Sequence, residues 1–311
     1  MRENGVTMPL DEVPVRVALA AAFPALPVGS CRFVGEGWDS SVWGVDGALL
    51  FRFPKRPEVA RALAREIALL PLLAPRLPLP IPRFSHLAPA GAPTDPALPF
   101  VGYPPLPGVP LDAAPGWPDP PASLLAALGR FLRALHDFPV ARAVAAGVPL
   151  NDRAAWRAAW ADRMARILAR PASFADAAAR GRFTELRAAF LAELDREGCP
   201  FVLTHHDFAP EHVLATPDGT RLAGIIDWGD VSIGDPALDF AGLARDERDP
   251  RLLTMLDAYG AADPGFARRA AWYARLAPCH TFLFGLDTGD AAKVPEGATA
   301  LAALIAAPPA H

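Results

Sequence analysis

Two β-prone runs flank a glycine-containing turn between Phe33 and Val45, and a third run, Ala48 to Phe53, follows with Arg52 set between Phe51 and Phe53. Glu58 to Leu73 is helix-forming and carries Glu66 inside it. Past residue 103 the pattern turns helical. Leu124, Leu125, Leu128, Phe131, Leu132 and Leu135 keep helical spacing, and His136 closes the run. Trp156, Trp160, Met164 and Ile167 form a second stripe, for which Asn151 is the expected N-cap. Arg251 to Tyr259 and Phe266 to Leu286 are helical in pattern too. Between these helices the period changes: Val213 to Ala215 and Leu222 to Ile226 read as a hairpin, with turn chemistry at Pro217, Asp218, Gly219 and Thr220.

The hairpin and its approach carry the chemistry. If Asp218 and Gly219 form a two-residue loop, His212 lies opposite Ile225 and diagonal to Asp227, so strand alternation puts His212 and Asp227 on one face. Two such side chains can close on one cation. Asp227 offers the hard oxygen that magnesium prefers, whereas imidazole suits softer ions. Asp207, just before the first strand, stays available to accept or orient the proton of an attacking hydroxyl beside a metal-bound phosphate.

These residues, HHDFAPEHVL followed by GIIDWGDVSIGDPALDF, resemble the paired motifs of the aminoglycoside phosphotransferase family, relatives of protein kinases, and within it the aminoglycoside 2″-phosphotransferases. Most of the wider family carries Asn at the metal-ligand position after the catalytic Asp, whereas the 2″-enzymes carry His, and His212 stands there. The resemblance implies that Asp207 is the catalytic base, Asp227 the kinase DFG Asp, and His205 a buttress of the catalytic loop. It also implies a kinase-like α+β fold: a small lobe of antiparallel strands plus the Glu66 helix over residues 1–103, a larger, mostly helical lobe over 104–311 that carries the hairpin, and an active site in the cleft between them.

The N-terminal third fits this expectation. A glycine turn lets backbone amides approach phosphates, which nominates Gly35, Gly37 and Ser40, although two glycines in a hairpin are more often plain turn chemistry. A strand cation paired to a helix glutamate is how kinases hold nucleotide phosphates, and here that pair would be Arg52 and Glu66. The 2″-enzymes usually show Lys where this chain has Arg52, which keeps the charge and adds a bidentate fork. Lys55 is the fallback. PFVGYPPLPGVPL, Pro99 to Leu111, resembles the hinge between kinase lobes and adds Phe100, Val101 and Tyr103 to the nucleotide candidates.

Composition narrows the setting. The chain has 311 residues, 52% of them hydrophobic, enough for one large core or two unequal ones, and a net charge of −4 with pI near 6.0 gives no general pull towards nucleic acid or anionic membrane. Cys31, Cys199 and Cys279 are far apart, odd in number and lack metal-binding spacing, so they read as reduced thiols. Val28-Gly-Ser-Cys31 superficially suits a lipoprotein cleavage site, but Arg16, Pro14, Pro24 and Pro27 break the apolar stretch and acids precede it. No window reaches the length of a membrane span. A cytoplasmic monomer is expected, acting on a nucleoside triphosphate and a small hydroxylated acceptor, with Mg2+ and ATP or GTP as cofactors.

For the acceptor, the 2″-enzymes hold aminoglycoside ammonium groups with an acidic cluster where this chain reads Arg245-Asp-Glu-Arg-Asp249. Asp246, Glu247 and Asp249 are the candidates, with Trp272 and Tyr273 on the pocket wall, core or surface packing being the alternative for those two. Arg245 and Arg248 interrupt the cluster and weaken it for a polycation, and a solvated helix start is the competing reading. Asp235 and Asp239 are assigned to structure, Asp235 as a turn or cap and Asp239 as a tie to the catalytic loop, the alternative being a second metal ligand. His136 is expected to be structural, and Arg153, Arg157, Arg163, Arg166 and Arg170 to form a solvated helix face. A zinc hydrolase built on His205, His206 and His212 is the rival enzyme reading, opposed by the fact that adjacent strand residues face opposite ways. A nucleotide-binding pseudokinase is the non-enzymatic one. Other acceptors consistent with the motifs are a macrolide, a sugar or a choline-like alcohol.

Overall fold

The computed structural model describes residues 11–307 apart from 38, 92–97, 197–199, 261–262 and 290–291. Trp38 and Cys199 therefore lie outside the described residues; Cys31 and Cys279 are buried free thiols. In chain order the elements are α1 (Glu12–Ala22), β1 (Cys31–Glu36), β2 (Ser40–Val45), β3 (Leu49–Pro54), α2 (Pro57–Leu73), β4 (His86–Ala88), β5 (Phe100–Tyr103), β6 (Val109–Pro110), α3 (Ala122–His136), α4 (Val140–Ala145), α5 (Arg153–Leu168), α6 (Ala177–Leu194), β7 (Val202–Thr204), β8 (Val213–Ala215), β9 (Leu222–Ile225), β10 (Ser232–Gly234), α7 (Pro250–Tyr259), α8 (Phe266–Thr288) and α9 (Lys293–Ala306). Among the described residues no helix is long and apolar enough to cross a membrane.

The chain forms two compact units. The first comprises Met1–Trp117, Ala145–Gly147 and Glu211–Asp230, the second Pro118–Val144, Val148–Pro210 and Val231–His311. This division departs from a single boundary near 103. Residues 104–117 and the hairpin join the first unit because β6 pairs with β8, and the backbone N–H of Ile225 donates to Pro80 O at 3.0 Å.

In the first unit an antiparallel sheet runs in the order β1-β2-β3-β5-β4. Its apolar side packs Trp43, Phe51, Phe53 and Phe100 against Val15 and Leu19 of α1. The Phe51 ring lies over Gly102, its cross-strand partner; a Cβ there would meet it at 2.3 Å, so only glycine fits. Pro57 opens α2 at its first turn, where the missing N–H costs nothing. The buried face of α2 presents Leu63, Leu69, Leu70 and Leu73, and with them Glu66.

The second unit is helical apart from the β7–β10 pair. α3 packs on α7, α8 on α9 and α5 on α6. Inside it Trp156 Nε1 donates to Tyr273 Oη (2.8 Å), and that hydroxyl donates to Asp235 (3.1 Å). Asp235 also accepts from Arg269 and caps the segment starting at Pro236, accepting from the Ala237 N–H at 3.0 Å. The cap of α5 is Asp152, whose carboxylate accepts from the Ala155 N–H at 2.7 Å; Asn151, expected in that role, donates instead to Ile233 O. Arg157 and Arg166 on α5 pair with Asp195 and Asp287 in half-exposed ion pairs, while Arg163 lies over the Trp160 ring and Arg170 donates to Arg166 O, so the expected arginine face is only partly solvated.

Candidate active site

In the second unit the segment after β7 is built around one buried carboxylate. Asp239 accepts from the backbone N–H groups of both His205 and His206, at 2.8 Å each, one on each oxygen. Its Oδ2 also meets His136 Nε2 at 3.0 Å, and His136 Nδ1 meets Tyr259 Oη at 3.0 Å. Asp239 and His136 are fully buried side chains. Burial opposes the Asp239 charge, but the His136 contact, nearby imidazoles and the backbone donor hold its pKa below the ordinary carboxylate range. Asp239 and His136 thus have the structural roles read from the sequence. The Tyr259 link was not foreseen, because it joins positions 123 residues apart.

Asp207 is exposed at the end of this framework. Before it, His206 adopts φ +73, a left-handed conformation that is uncommon for a non-glycine residue, and its Nδ1 lies 2.7 Å from Ser232 Oγ. Burial pushes the His206 pKa down to about 4, so the ring is neutral at neutral pH. After Asp207, Phe208 is buried and stacks with Phe131. Gly242 packs so tightly on this stretch that a Cβ would lie 2.4 Å from the Phe208 carbonyl oxygen.

The first unit brings together His212, Asp227, Arg52 and Glu66. His212 Nε2 lies 3.5 Å from Asp227 Oδ2. The register that delivers this differs from the one expected: an irregularity between Leu214 and Ala215 shifts the pairing so that Val213, not His212, faces Ile225, and Ile226 donates to His212 O. β9 ends at Ile225, and Asp227 reaches His212 through a left-handed backbone, φ +64, rather than through strand alternation. Arg52 donates to Glu66 at 2.5 Å. Burial works against this pair, and the attraction of Glu66 holds the Arg52 guanidinium above its ordinary pKa. Arg52 Nε is buried without a hydrogen-bond partner among the described residues. A Cβ on Gly229 would meet Asp227 at 3.8 Å and Glu66 at 3.9 Å, so the two carboxylates flank that residue. Arg65, which sequence reading passed over, donates to Gly229 O at 3.2 Å.

Among the described residues no cluster of three or more His, Cys, Asp or Glu side chains could hold a metal ion by itself. A carboxylate and an imidazole at 3.5 Å nevertheless fit magnesium, which keeps several waters and takes further oxygens from substrate phosphates. The three histidines of the zinc reading sit in different surroundings: His205 packs on Phe208, His206 contacts Ser232 and His212 contacts Asp227.

Of the nucleotide candidates, Gly35 follows a bulge in β1, and the Gly37 N–H closes the turn by donating to Ser40 O at 3.0 Å. Lys55 supports that turn, donating to Gly37 O at 2.7 Å and pairing with Glu36, which leaves Arg52 as the cation on the helix glutamate. Phe100 is a correction: it is 0% exposed and stacks on Phe53 with centroids 4.5 Å apart, so its side chain belongs to the sheet core, whereas Val101, also 0% exposed, pairs with Arg52 across the strands and lies on the Arg52 side of the sheet. Tyr103 ends β5 half-buried against Phe84.

The acceptor candidates line a cavity of about 1200 Å³ in the second unit, bounded by α6, the 244–250 segment and α8, and Trp272 is on its wall. Asp246 is exposed and accepts from the Arg248 N–H, while Glu247 is half-buried. Asp249 is a correction: it is buried, caps α7 by accepting from the Arg251 N–H, accepts from the Arg245 N–H and pairs with the Arg251 guanidinium at 2.6 Å. Its oxygens are committed to the fold. The cavity also holds Glu193, which the sequence analysis did not single out because it looks like any solvated acid near a helix end.

The model of the phosphotransferase enzyme family matches residues 30–272, and the chain belongs to that family. Its kinase-like α+β fold is shared with solved structures over nearly its whole length. The GDP complex of aminoglycoside 2'-phosphotransferase-IIIa aligns with TM-score 0.81 and 25% identity, covering 96% of this chain and 99% of that one. A GDP and kanamycin complex of APH(2″)-IIIa aligns at 0.82 and 26%, covering 94% and 98%. Macrolide 2'-phosphotransferase from Brachybacterium faecium aligns at 0.70 and 29%, covering 96% and 99%. Viomycin phosphotransferase of Streptomyces vinaceus is 33% identical over 97 residues, a stretch that takes in 30% of this chain and about a third, 34%, of that protein.

Proposed function

We propose that the protein is a magnesium-dependent phosphotransferase that moves the γ-phosphate of ATP or GTP to a hydroxyl of a small cationic acceptor, with an aminoglycoside-type antibiotic as the leading acceptor. The observation that carries this reading is the pair His212 and Asp227, 3.5 Å apart in the same unit as the Arg52–Glu66 ion pair. Asp227 and His212 would hold the metal, the Arg52 guanidinium would meet nucleotide phosphates, and the turn at Gly35, Gly37 and Ser40 would offer backbone amides. Magnesium, when bound, neutralises charge on the phosphate oxygens. Asp207 takes or orients the acceptor hydroxyl proton, and Asp239 fixes its loop by holding two of the preceding N–H groups.

The 1200 Å³ cavity is the proposed acceptor pocket, with Asp246, Glu247 and Trp272 as contacts. A macrolide is the second acceptor reading, supported by the 29% identity to the Brachybacterium faecium enzyme. The protein is proposed to work as a cytoplasmic monomer, with antibiotic resistance as its biological outcome. Purified protein should be incubated with ATP or GTP, with and without magnesium, against kanamycin, viomycin, a macrolide, sugars and choline, following nucleoside diphosphate release and acceptor mass. Magnesium-dependent addition of one phosphate to an acceptor is expected. Nucleotide binding with neither transfer nor hydrolysis in magnesium would instead mark a pseudokinase.

A further inference from the structure

Glu193, in the last turn of α6, is 6% exposed and lines the cavity that also presents Trp272 and the 244–250 segment. Its Oε2 is fixed from two sides, by Arg268 at 2.9 Å and Arg196 at 3.2 Å. Its Oε1 is buried and has no hydrogen-bond partner among the described residues. A buried carboxylate oxygen left without a donor is costly, and the two ion pairs, from partly exposed arginines, draw the other oxygen away from it. Arg245, Arg248 and Arg275 also line the cavity, and Arg275 stands over the Trp272 ring at 5.5 Å. Asp246 is exposed, Glu247 half-buried and Asp249 committed to α7, so among the described acids of this wall Glu193 is the buried one with an oxygen to offer.

We infer that Glu193 is a specificity-determining residue of the pocket, seating a protonated amine of the acceptor on Oε1. The inference rests on the reading of this cavity as the acceptor pocket. A charged N–H donor suits an ionised oxygen better than a neutral hydroxyl does, because charge-assisted hydrogen bonds are about twice as strong. Arg196 and Arg268 act as positioning residues: they aim the carboxylate and partly offset its charge, so the site selects for an amine placed at one point rather than for total positive charge.

The test is calorimetric binding to the full chain with ADP and magnesium present, using kanamycin and kanamycin acetylated on all its amines. The wild type is expected to bind kanamycin at least about 10-fold more tightly than the acetylated form, and Glu193→Gln to shrink that ratio to about 3-fold or less, with binding of the acetylated probe unchanged. An equal ratio in the two proteins overturns the assignment, as does a wild type that does not bind kanamycin. If thermal denaturation shows that Glu193→Gln does not fold, Glu193→Asp keeps the charge and withdraws it by one methylene; it should reduce the ratio, and an unchanged ratio again overturns the assignment. Binding does not depend on turnover, so a wild type that discriminates the probes through Glu193 but transfers no phosphate refutes the proposed function and leaves this inference standing.

Discussion

The segment around Asp207 and the segment around Asp246 belong to the same unit yet are built in opposite ways. The first hangs on a buried chain, Tyr259 to His136 to Asp239 to two backbone N–H groups, in which each link has a partner. The second is an exposed run of mixed charge, Arg245 to Arg248, held in place by one buried cap, Asp249. A satisfied polar network in a low-dielectric interior fixes geometry, which the proton acceptor proposed at Asp207 would need. A pocket wall gains more from unspent valence, and Glu193 has it.

The contrast can be broken at several points. The largest effect should come from Asp207→Asn, with turnover falling by about 10²- to 10⁴-fold and the nucleotide dissociation constant unmoved, because the base acts on the acceptor. Near-normal turnover in that variant would remove Asp207 from the chemistry. Asp239→Asn should cost about 3 kcal/mol in urea unfolding, since it strips the charge from a buried, fully partnered group, and should lower kcat more than it raises KM.

Acid should act on the same framework. The folded state holds His206 neutral down to about pH 4, whereas the unfolded chain takes up a proton near its ordinary value of 6.5. The unfolded state therefore binds more protons between those values, and stability present above 6.5 is lost as pH falls towards 4. The loss from this group is up to about 3 kcal/mol. Asp239, whose pKa is lowered, adds to it as pH drops below the ordinary carboxylate range. A flat melting temperature from pH 7 to 4.5 would contradict this account. The smallest effect belongs to Asp249→Ala, expected to cost about 1–2 kcal/mol through the lost cap and ion pair while the acceptor KM moves little.

Most elements could be read from periodicity, because α2, α3, α7 and α8 bury one stripe each and β3 sets Arg52 between the buried Phe51 and Phe53. The meetings of His212 with Asp227 and of Arg52 with Glu66 were legible because kinase chemistry constrains residue types as well as spacing. What stayed hidden depends on backbone detail with no periodic signature. The irregular pairing at Leu214 and Ala215 and the left-handed Asp227 both alter which residues meet, and neither changes the hydrophobic pattern. Phe100 looked available because the hinge resemblance marks a segment, not a side-chain direction. Asp249 and Glu193 are chemically alike in sequence; only burial separates the acid that is spent from the one that is open.

The first unit is assembled from three stretches of chain, Met1–Trp117, Ala145–Gly147 and Glu211–Asp230. A chimera made with a relative by a single crossover after residue 117 would inherit β6 from one parent and its partner β8 from the other, along with the Glu66 helix and a His212–Asp227 hairpin that had never been selected together. Recombination that respects this protein has to exchange the hairpin as a cassette with the N-terminal block. If the proposed nucleotide and acceptor sites hold, donor preference and acceptor preference separate in inheritance only when both junctions flanking Glu211–Asp230 are cut as well.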